Sequence, residues 1–158
     1  MRQRVYVDTN TIITAWAHNL WKGLAGRYDM ETVAACFEET ATGLQNRNPE
    51  TWIDQQVLRD SLARPPHVVS EEQVAAVVLM KSGTNLDVGE RDLWAHALVD
   101  GDGWMLSGPD SASMRFGVEH GFRNRLISLE DLVVDKKAYG RLGIKAHYGR
   151  KFLERICI

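Results

Sequence analysis

Two hydrophobic periods alternate along the chain, and the places where one gives way to the other mark its elements. Arg4-Val5-Tyr6-Val7 is a short run of β-formers, so residues 3–8 read as a first strand. From Thr11 to Leu24 the apolar residues Ile12, Ile13, Trp16 and Leu20 fall on one helical face, and Gly23 and Gly26 loosen its end. Met30 to Leu44 repeats the helical period through Val33, Phe37 and Leu44. Asn46-Arg47-Asn48-Pro49 breaks it, and Pro49 suits the first turn of a third helix running to about Leu62. After Arg64-Pro65-Pro66, His67-Val68-Val69 reads as a short strand. Ser70-Glu71-Glu72-Gln73 is a capping box for a helix through Met80.

Asp87-Val88-Gly89-Glu90 opens a fifth helix through Leu98, and Asp100-Gly101-Asp102-Gly103 turns the chain into a strand, Trp104-Met105-Leu106-Ser107. A short helix near Ala112 to His120 follows. Arg125-Leu126-Ile127-Ser128 reads as the last strand, and Leu129-Glu130-Asp131-Leu132 begins another helix. Strands separated by helical stretches predict an α/β fold with a central parallel sheet and helices on both faces. The 21 residues from Gln45 to Pro65 are the expected insertion. There is no internal repeat and no low-complexity segment.

Three acids recur at equivalent points of this pattern. Asp8 follows the first strand, and Asp110 follows the Trp104 strand. In an open α/β sheet the carboxyl edge of the strands is where ligands bind. Glu90 stands in the first turn of the helix that feeds the Trp104 strand, facing the same edge. A fourth acid comes from the second helix, where Glu38 and Glu39 are adjacent and, about 100° apart, cannot both point inward. Each acid also has a plain structural reading. Asp8 and Asp110 suit helix N-caps, Asp87 and Glu90 form an Asp-x-x-Glu capping pair, and Glu38 and Glu39 suit a solvated face.

The residues between these acids resemble a known family. Val5-Tyr6-Val7-Asp8-Thr9-Asn10-Thr11-Ile12-Ile13 resembles the opening of PIN-domain nucleases. Leu86-Asp87-Val88-Gly89-Glu90, with Leu93, Ala95 and Ala97, is similar to their central Gly-Glu helix. Met105-Leu106-Ser107-Gly108-Pro109-Asp110 resembles their third motif, and Arg125 to Leu132 resembles the close of the domain. The resemblance covers residues 4–132. It implies a PIN-like three-layer α/β/α sandwich and a divalent-metal-dependent endoribonuclease, a hydrolase binding Mg²⁺ or Mn²⁺.

Carried over by position, the catalytic acids are Asp8, Glu39, Glu90 and Asp110, with Asp8, Glu90 and Asp110 on the metal. Glu39 is chosen over Glu38 because the family places an apolar residue three positions before the acid, here Cys36. Thr9, Asn10 and Ser107 would orient the acids or a bound water. Size and resemblance fit the toxin of a toxin–antitoxin pair, with RNA as substrate, a protein antitoxin as partner and a homodimer as the expected assembly. The alternative from another class is a catalytically inactive PIN-fold module that binds RNA or protein. Two departures stand out: Gly108-Pro109 puts a stiff dipeptide before Asp110, and 26 residues follow Leu132.

Electrostatics leads to a cation independently. Two carboxylates ~4 Å apart repel by about 4 kcal/mol at an effective dielectric near 20, and a divalent cation with oxygen ligands relieves that.

Charge distribution adds a second theme. The chain carries a net charge of -2, yet from Asp135 to Ile158 seven basic residues face only Asp135 and Glu154, leaving an acidic body and a basic tail. The chain divides into a domain over 1–134 and a basic extension over 135–158. Lys136, Lys137, Lys145, Arg150 and Lys151 are the candidate RNA contacts. The opposing reading is a structural tail, for which Tyr139, Leu142, Ile144, Phe152, Leu153 and Ile156 supply apolar surface.

Other classes drop out. No P-loop and no complete Gly-x-Gly-x-x-Gly is present. The five histidines are scattered, and Cys36 and Cys157 form neither a disulfide framework nor a zinc spacing. Trp16, Trp94 and Trp104 lie in core-like patterns, whereas Trp21 and Trp52 suit an exposed groove. No segment has the roughly 18 apolar residues of a membrane span, and the N-terminus runs straight into a strand, so a cytoplasmic protein is expected.

Overall fold

The computed structural model describes residues 1–42 and 52–158. Three parallel strands, β1 (Arg4–Val7), β2 (Asp29–Glu31) and β3 (Trp104–Ser107), form a sheet of order β2-β1-β3. Arg4 pairs with Asp29 on one side and Trp104 on the other, and Val7 pairs with Ser107. β1 is central, and Val5, Tyr6 and Val7 are fully buried. That is the expected character of a parallel strand covered on both faces.

Alternation along β1 sends its side chains into two apolar layers. Val5 and Val7, with Met30 of β2, pack with α1 (Thr9–Ala17) and α2 (Trp21–Arg27), and with Leu58 of α4 (Gln55–Ser61) and Leu129 and Leu132 of α8 (Leu129–Leu132). Tyr6, Trp104 and Leu106 pack with residues of α3 (Ala34–Thr42), α5 (Glu71–Leu79), α6 (Val88–Val99) and α7 (Ser111–Glu119). The molecule is therefore mixed α/β with helices against both sheet faces.

Topology opens a crevice. The chain leaves β1 into α1 on one face and leaves β3 into α7 on the other, so the two connections diverge at the carboxyl edge. This is the switch point at which α/β sheets place their ligands. Asp8 and Asp110 are the residues at that divergence. α6 runs back toward the amino edge, which puts its first turn, with Glu90, at the same end.

Several elements differ from the pattern-based expectation. The helix expected over Thr11 to Leu24 is two helices, because Asn19 takes a left-handed conformation at φ 58° and ends α1. Met30 does not open a helix; it is the middle residue of β2, a strand that hydrophobic periodicity did not reveal. α3 starts at Ala34 instead. The expected strands at His67 and at Arg125–Ser128 reduce to single bridges, Val33 with His67 and Leu106 with Leu126. Pro49 and the far end of the second predicted helix lie outside the described residues, and α4 begins at Gln55 behind the cap Asp54.

The basic extension is folded onto the body. It contains α9 (Lys136–Arg141) and α10 (Arg150–Ile156), the latter packed against α7 and α8. Tyr139 and Tyr148 are buried within the apolar layer that also holds Val5 and Val7. No helix among the described residues is long and apolar enough to cross a membrane.

Candidate functional site

Asp8 is the first residue beyond β1 and the N-cap of α1, its Oδ1 accepting a 2.8 Å hydrogen bond from the Thr11 N–H. The segment is held to β3 by Ser107, whose carbonyl accepts from the Asp8 N–H at 3.3 Å and from Thr11 Oγ1 at 3.1 Å. Ser107 thus orients Asp8 through its backbone. The capping bond uses one oxygen only. The other, Oδ2, faces Gly108, where a β-carbon would come within 3.3 Å of it. Gly108 leaves room beside the carboxylate that a larger residue would take.

Glu39 reaches the same place from α3. Its Oε2 accepts from Thr9 Oγ1 at 2.9 Å, and Thr9 also reaches the Cys36 carbonyl at 3.3 Å. A β-carbon at Gly89 would stand 2.9 Å from Glu39 Oε1 and 3.1 Å from Cys36 Sγ. The missing side chain at Gly89 is what lets the first turn of α6 close against α3. Glu38, one position earlier, is exposed, whereas Glu39 faces the cleft.

Asp87 and Glu90 complete the wall as a reciprocal capping box. Asp87 Oδ1 accepts from the Glu90 N–H at 2.9 Å, and Glu90 Oε2 accepts from the Asp87 N–H at 3.2 Å. Together Asp8, Thr9, Asn10, Cys36, Glu39, Asp87, Gly89 and Glu90 line a narrow cleft with about 10 Å³ of room, roughly the space of one water. Asp110 caps α7 through the Ala112 N–H at 2.8 Å and is not among the residues that line this cleft. Both Asp8 and Glu90 feel its charge.

The electrostatics is that of an under-compensated cluster. Burial, reinforced by the charges of Asp87 and Asp110, pushes the Asp8 carboxyl up to about 7. Burial and the same two neighbours push Glu90 to about 8. Glu39 is raised as well, by burial first and then by Asp87 and Asp92, against the favourable Thr9 hydrogen bond. Burial also raises the Cys36 thiol, with Asp8 adding to it, so the sulfur stays neutral. Perturbed carboxylates gathered at a sheet's carboxyl edge make it a candidate functional site.

Among the described residues no group of three or more His, Cys, Asp or Glu side chains is arranged to hold a metal ion. The donor set accords with an open site rather than a closed cage. Mg²⁺ takes one or two carboxylates and keeps several waters. Asp8 Oδ2 and Glu90 Oε1 are the oxygens left over after capping.

The expected basic residues lie on another surface. Lys136 bonds the Glu130 carbonyl and pairs with Asp131 at 3.7 Å, while Arg150 Nη2 pairs with Asp131 at 2.5 Å. Lys137, Lys145 and Lys151 are exposed. Two residues of this extension approach the acids. The Tyr148 hydroxyl donates to the Asn10 carbonyl at 3.4 Å, and His147 senses the charge of Asp110.

Three features escaped the sequence reading. Asp87 was read as a cap alone, yet it lines the cleft. Trp21, expected in an exposed groove, is buried with its Nε1–H donating to Ser61 Oγ at 2.8 Å; Trp52 is 47% exposed. A polar network also sits across the other end of the sheet. Arg4 Nε donates to Glu31 Oε2 at 2.8 Å and Arg4 Nη2 to Asp100 Oδ2 at 2.5 Å, while the Tyr6 hydroxyl also donates to Asp100. His67 Nε2 bonds Glu31 Oε1 at 2.8 Å, and the His67 and His96 rings stack 3.9 Å apart.

The chain matches no protein-family model, and no curated protein or solved structure is significantly similar to it.

Proposed function

We propose that this chain is a divalent-metal-dependent endoribonuclease with a PIN-like fold, hydrolysing RNA phosphodiester bonds at the Asp8–Glu39–Glu90–Asp110 edge. The observation that carries the reading is the convergence of buried, mutually raised carboxylates on one cleft at the sheet's switch point. Such a cluster is costly unless something positive enters it. The order of the motifs around these acids, which resembles that of PIN nucleases, supplies the substrate class. The same resemblance is the ground for a toxin role, a protein antitoxin and a homodimer.

Asp8 Oδ2 and Glu90 Oε1 would hold Mg²⁺ or Mn²⁺ together with Asp110, and Glu39 borders them. When bound, the ion supplies Lewis acidity toward the phosphoryl oxygens and neutralises the carboxylates. The chain's own residues set the stage. The Thr11 N–H holds Asp8 Oδ1, so that the other oxygen, Oδ2, lies beside Gly108. The Asp87 N–H likewise holds Glu90 Oε2. Thr9 donates to Glu39 Oε2 and holds this carboxylate at the cleft, where it would take a proton from an attacking water. Burial raises the proton affinity of Glu39, the direction in which a general base is tuned.

The second reading, an inactive RNA- or protein-binding module, draws on the absence of a ready-made three-ligand metal group among the described residues. Titration of Mg²⁺ or Mn²⁺ against a fluorogenic RNA separates the two. The nuclease reading expects cleavage that rises with the ion and stops in EDTA. It also expects thermal stabilisation, about 1.4 kcal/mol when the ion stands at ten times its Kd. Binding of RNA without cleavage at any ion concentration would leave the module reading standing.

A further inference from the structure

The basic extension encloses a hollow of about 590 Å³ between α8, α9 and α10, bordered by Lys136, Tyr139, Lys145, Arg150, Lys151 and Glu130. That volume lies within the range of ligand pockets. Its charge is positive after internal pairing. Arg150 and Lys136 share Asp131, and the Arg150 N–H donates to Glu130 Oε1 at 2.9 Å. Lys145 and Lys151 have no ion pair among the described residues.

A second observation points to a ligand. Tyr139 is 7% exposed, and among the described residues its hydroxyl is the one buried side-chain polar atom with no hydrogen-bond partner. A buried O–H without an acceptor is expensive and rare. Burial first, then Glu130 and Tyr148, raise its proton affinity to about 12, so it remains a donor at neutral pH. A donor that keeps its proton, on a residue that lines the same hollow as Lys145 and Lys151, suits an acceptor-only anion.

We propose that this hollow seats a backbone phosphate of a single RNA strand, distant from the phosphate that is cut. The proposal rests on the nuclease reading for its choice of RNA. A second depression of about 480 Å³ is bordered by Lys145, which also borders the hollow, and by Asn10, which also lines the cleft. A strand anchored at Lys145 and Lys151 and laid along this depression would run to Asn10, which borders the cleft that Asp8 lines. Anchoring away from the acids resolves a conflict, since an acidic cleft repels the polyanion it acts on. Lys137, which does not border the hollow, takes no part.

The test is equilibrium binding of a short fluorescent RNA to the full chain in EDTA, where cleavage cannot interfere, with inorganic phosphate as competitor. Tyr139→Phe keeps the ring and removes the hydroxyl. It should weaken binding about fivefold while leaving the melting temperature unchanged or higher. Lys145→Gln combined with Lys151→Gln should weaken binding further and flatten the salt dependence by about 0.7 log units per decade, the value for one single-strand phosphate contact. Lys137→Gln should bind as the wild type does. Wild-type affinity in Tyr139→Phe, or an unchanged salt slope in the double variant, overturns the proposal. The two readings fail separately. Cleavage with no effect of these variants removes the anchor alone, whereas weakened binding without any cleavage removes the nuclease alone.

Discussion

The two ends of β1 bury acids in opposite ways. Beside Arg4 and Tyr6, Glu31, the last residue of β2, is 1% exposed, yet burial, which would raise its proton affinity, is outweighed by hydrogen bonds from Arg4 and His67, and it stays below the usual carboxylate range. Asp100 is lowered for the same kind of reason, through Tyr6 and Arg4. At the carboxyl end Asp8 and Glu90 are 4% and 5% exposed, and their charged neighbours are other acids. One network carries its own counter-charges and is complete. The other is satisfied only in its capping bonds and remains short of positive charge. Burial alone therefore does not mark a site; burial without compensation does.

The largest expected effect tests the uncompensated end. Asp8→Asn keeps a capping oxygen but removes a charge, and should lower RNA cleavage on the order of 10³-fold, about 4 kcal/mol of barrier. Without metal the same variant should be more stable at pH 8 by roughly 1–3 kcal/mol. The sign follows from the raised value. The contribution of Asp8 is intact below the unfolded value of 3.8 and is lost as pH climbs through about 7. Metal-free wild type should therefore weaken from this end between about pH 4 and 8, with Glu90 setting the upper limit, and Asp8→Asn should flatten the decline. Urea unfolding across that range checks it.

Next in size is the compensated end, where the sign reverses. Glu31→Gln leaves Arg4 without its buried partner and should cost about 3 kcal/mol or more at neutral pH, with or without divalent ions. Because Glu31 and Asp100 are lowered, their contribution is present above the unfolded values and is lost as pH falls through the folded ones. The difference in unfolding free energy between wild type and Glu31→Gln should therefore shrink in acid. A difference that grows in acid would break the contrast between the two ends.

The smallest test sharpens the edge of the cleft. Glu39→Gln should reduce cleavage about tenfold, roughly 1.4 kcal/mol. Glu38→Gln, on the exposed side of the same helix turn, should stay within experimental scatter of the wild type. Equal losses for the two variants would mean that charge near α3 matters and position does not.

Much of the cleft was legible in the sequence because its acids double as caps. Asp8 and Asp110 stand where strand gives way to helix and Glu90 in the first turn of α6, and the plain structural reading of each is correct: all three do cap. Capping and site-forming are compatible because a cap spends one oxygen of two. Asp87 was missed for that very reason, its capping partnership with Glu90 seeming a full account of it. β2 was illegible because Asp29-Met30-Glu31 carries two acids in three residues, and the residues that make Glu31 acceptable in a core, Arg4 and His67, are 27 and 36 positions away. The division of α1 from α2 was hidden because Asn19 interrupts the backbone without interrupting the apolar stripe. The expected strand over Arg125–Ser128 ends after one bridge, since the chain enters it from a 3-10 turn at Arg123–Arg125 and leaves it into the Ser128 cap of α8.

Arg4 opens a strand of four residues and Asp8 follows it, so only about 13 Å of backbone separates Arg4 of the salt-bridge network from Asp8 of the acidic cleft. β1 consequently acts as a ruler with a fixed length. Inserting or deleting a single residue inside it would turn every following side chain to the opposite layer, unseating Tyr6 from Asp100 and swinging Asp8 away from Glu90 in the same event. Substitutions can injure one end and spare the other, but a change of length cannot. A library of one-residue insertions should show this strand as a gap in tolerance wider than either site would produce on its own.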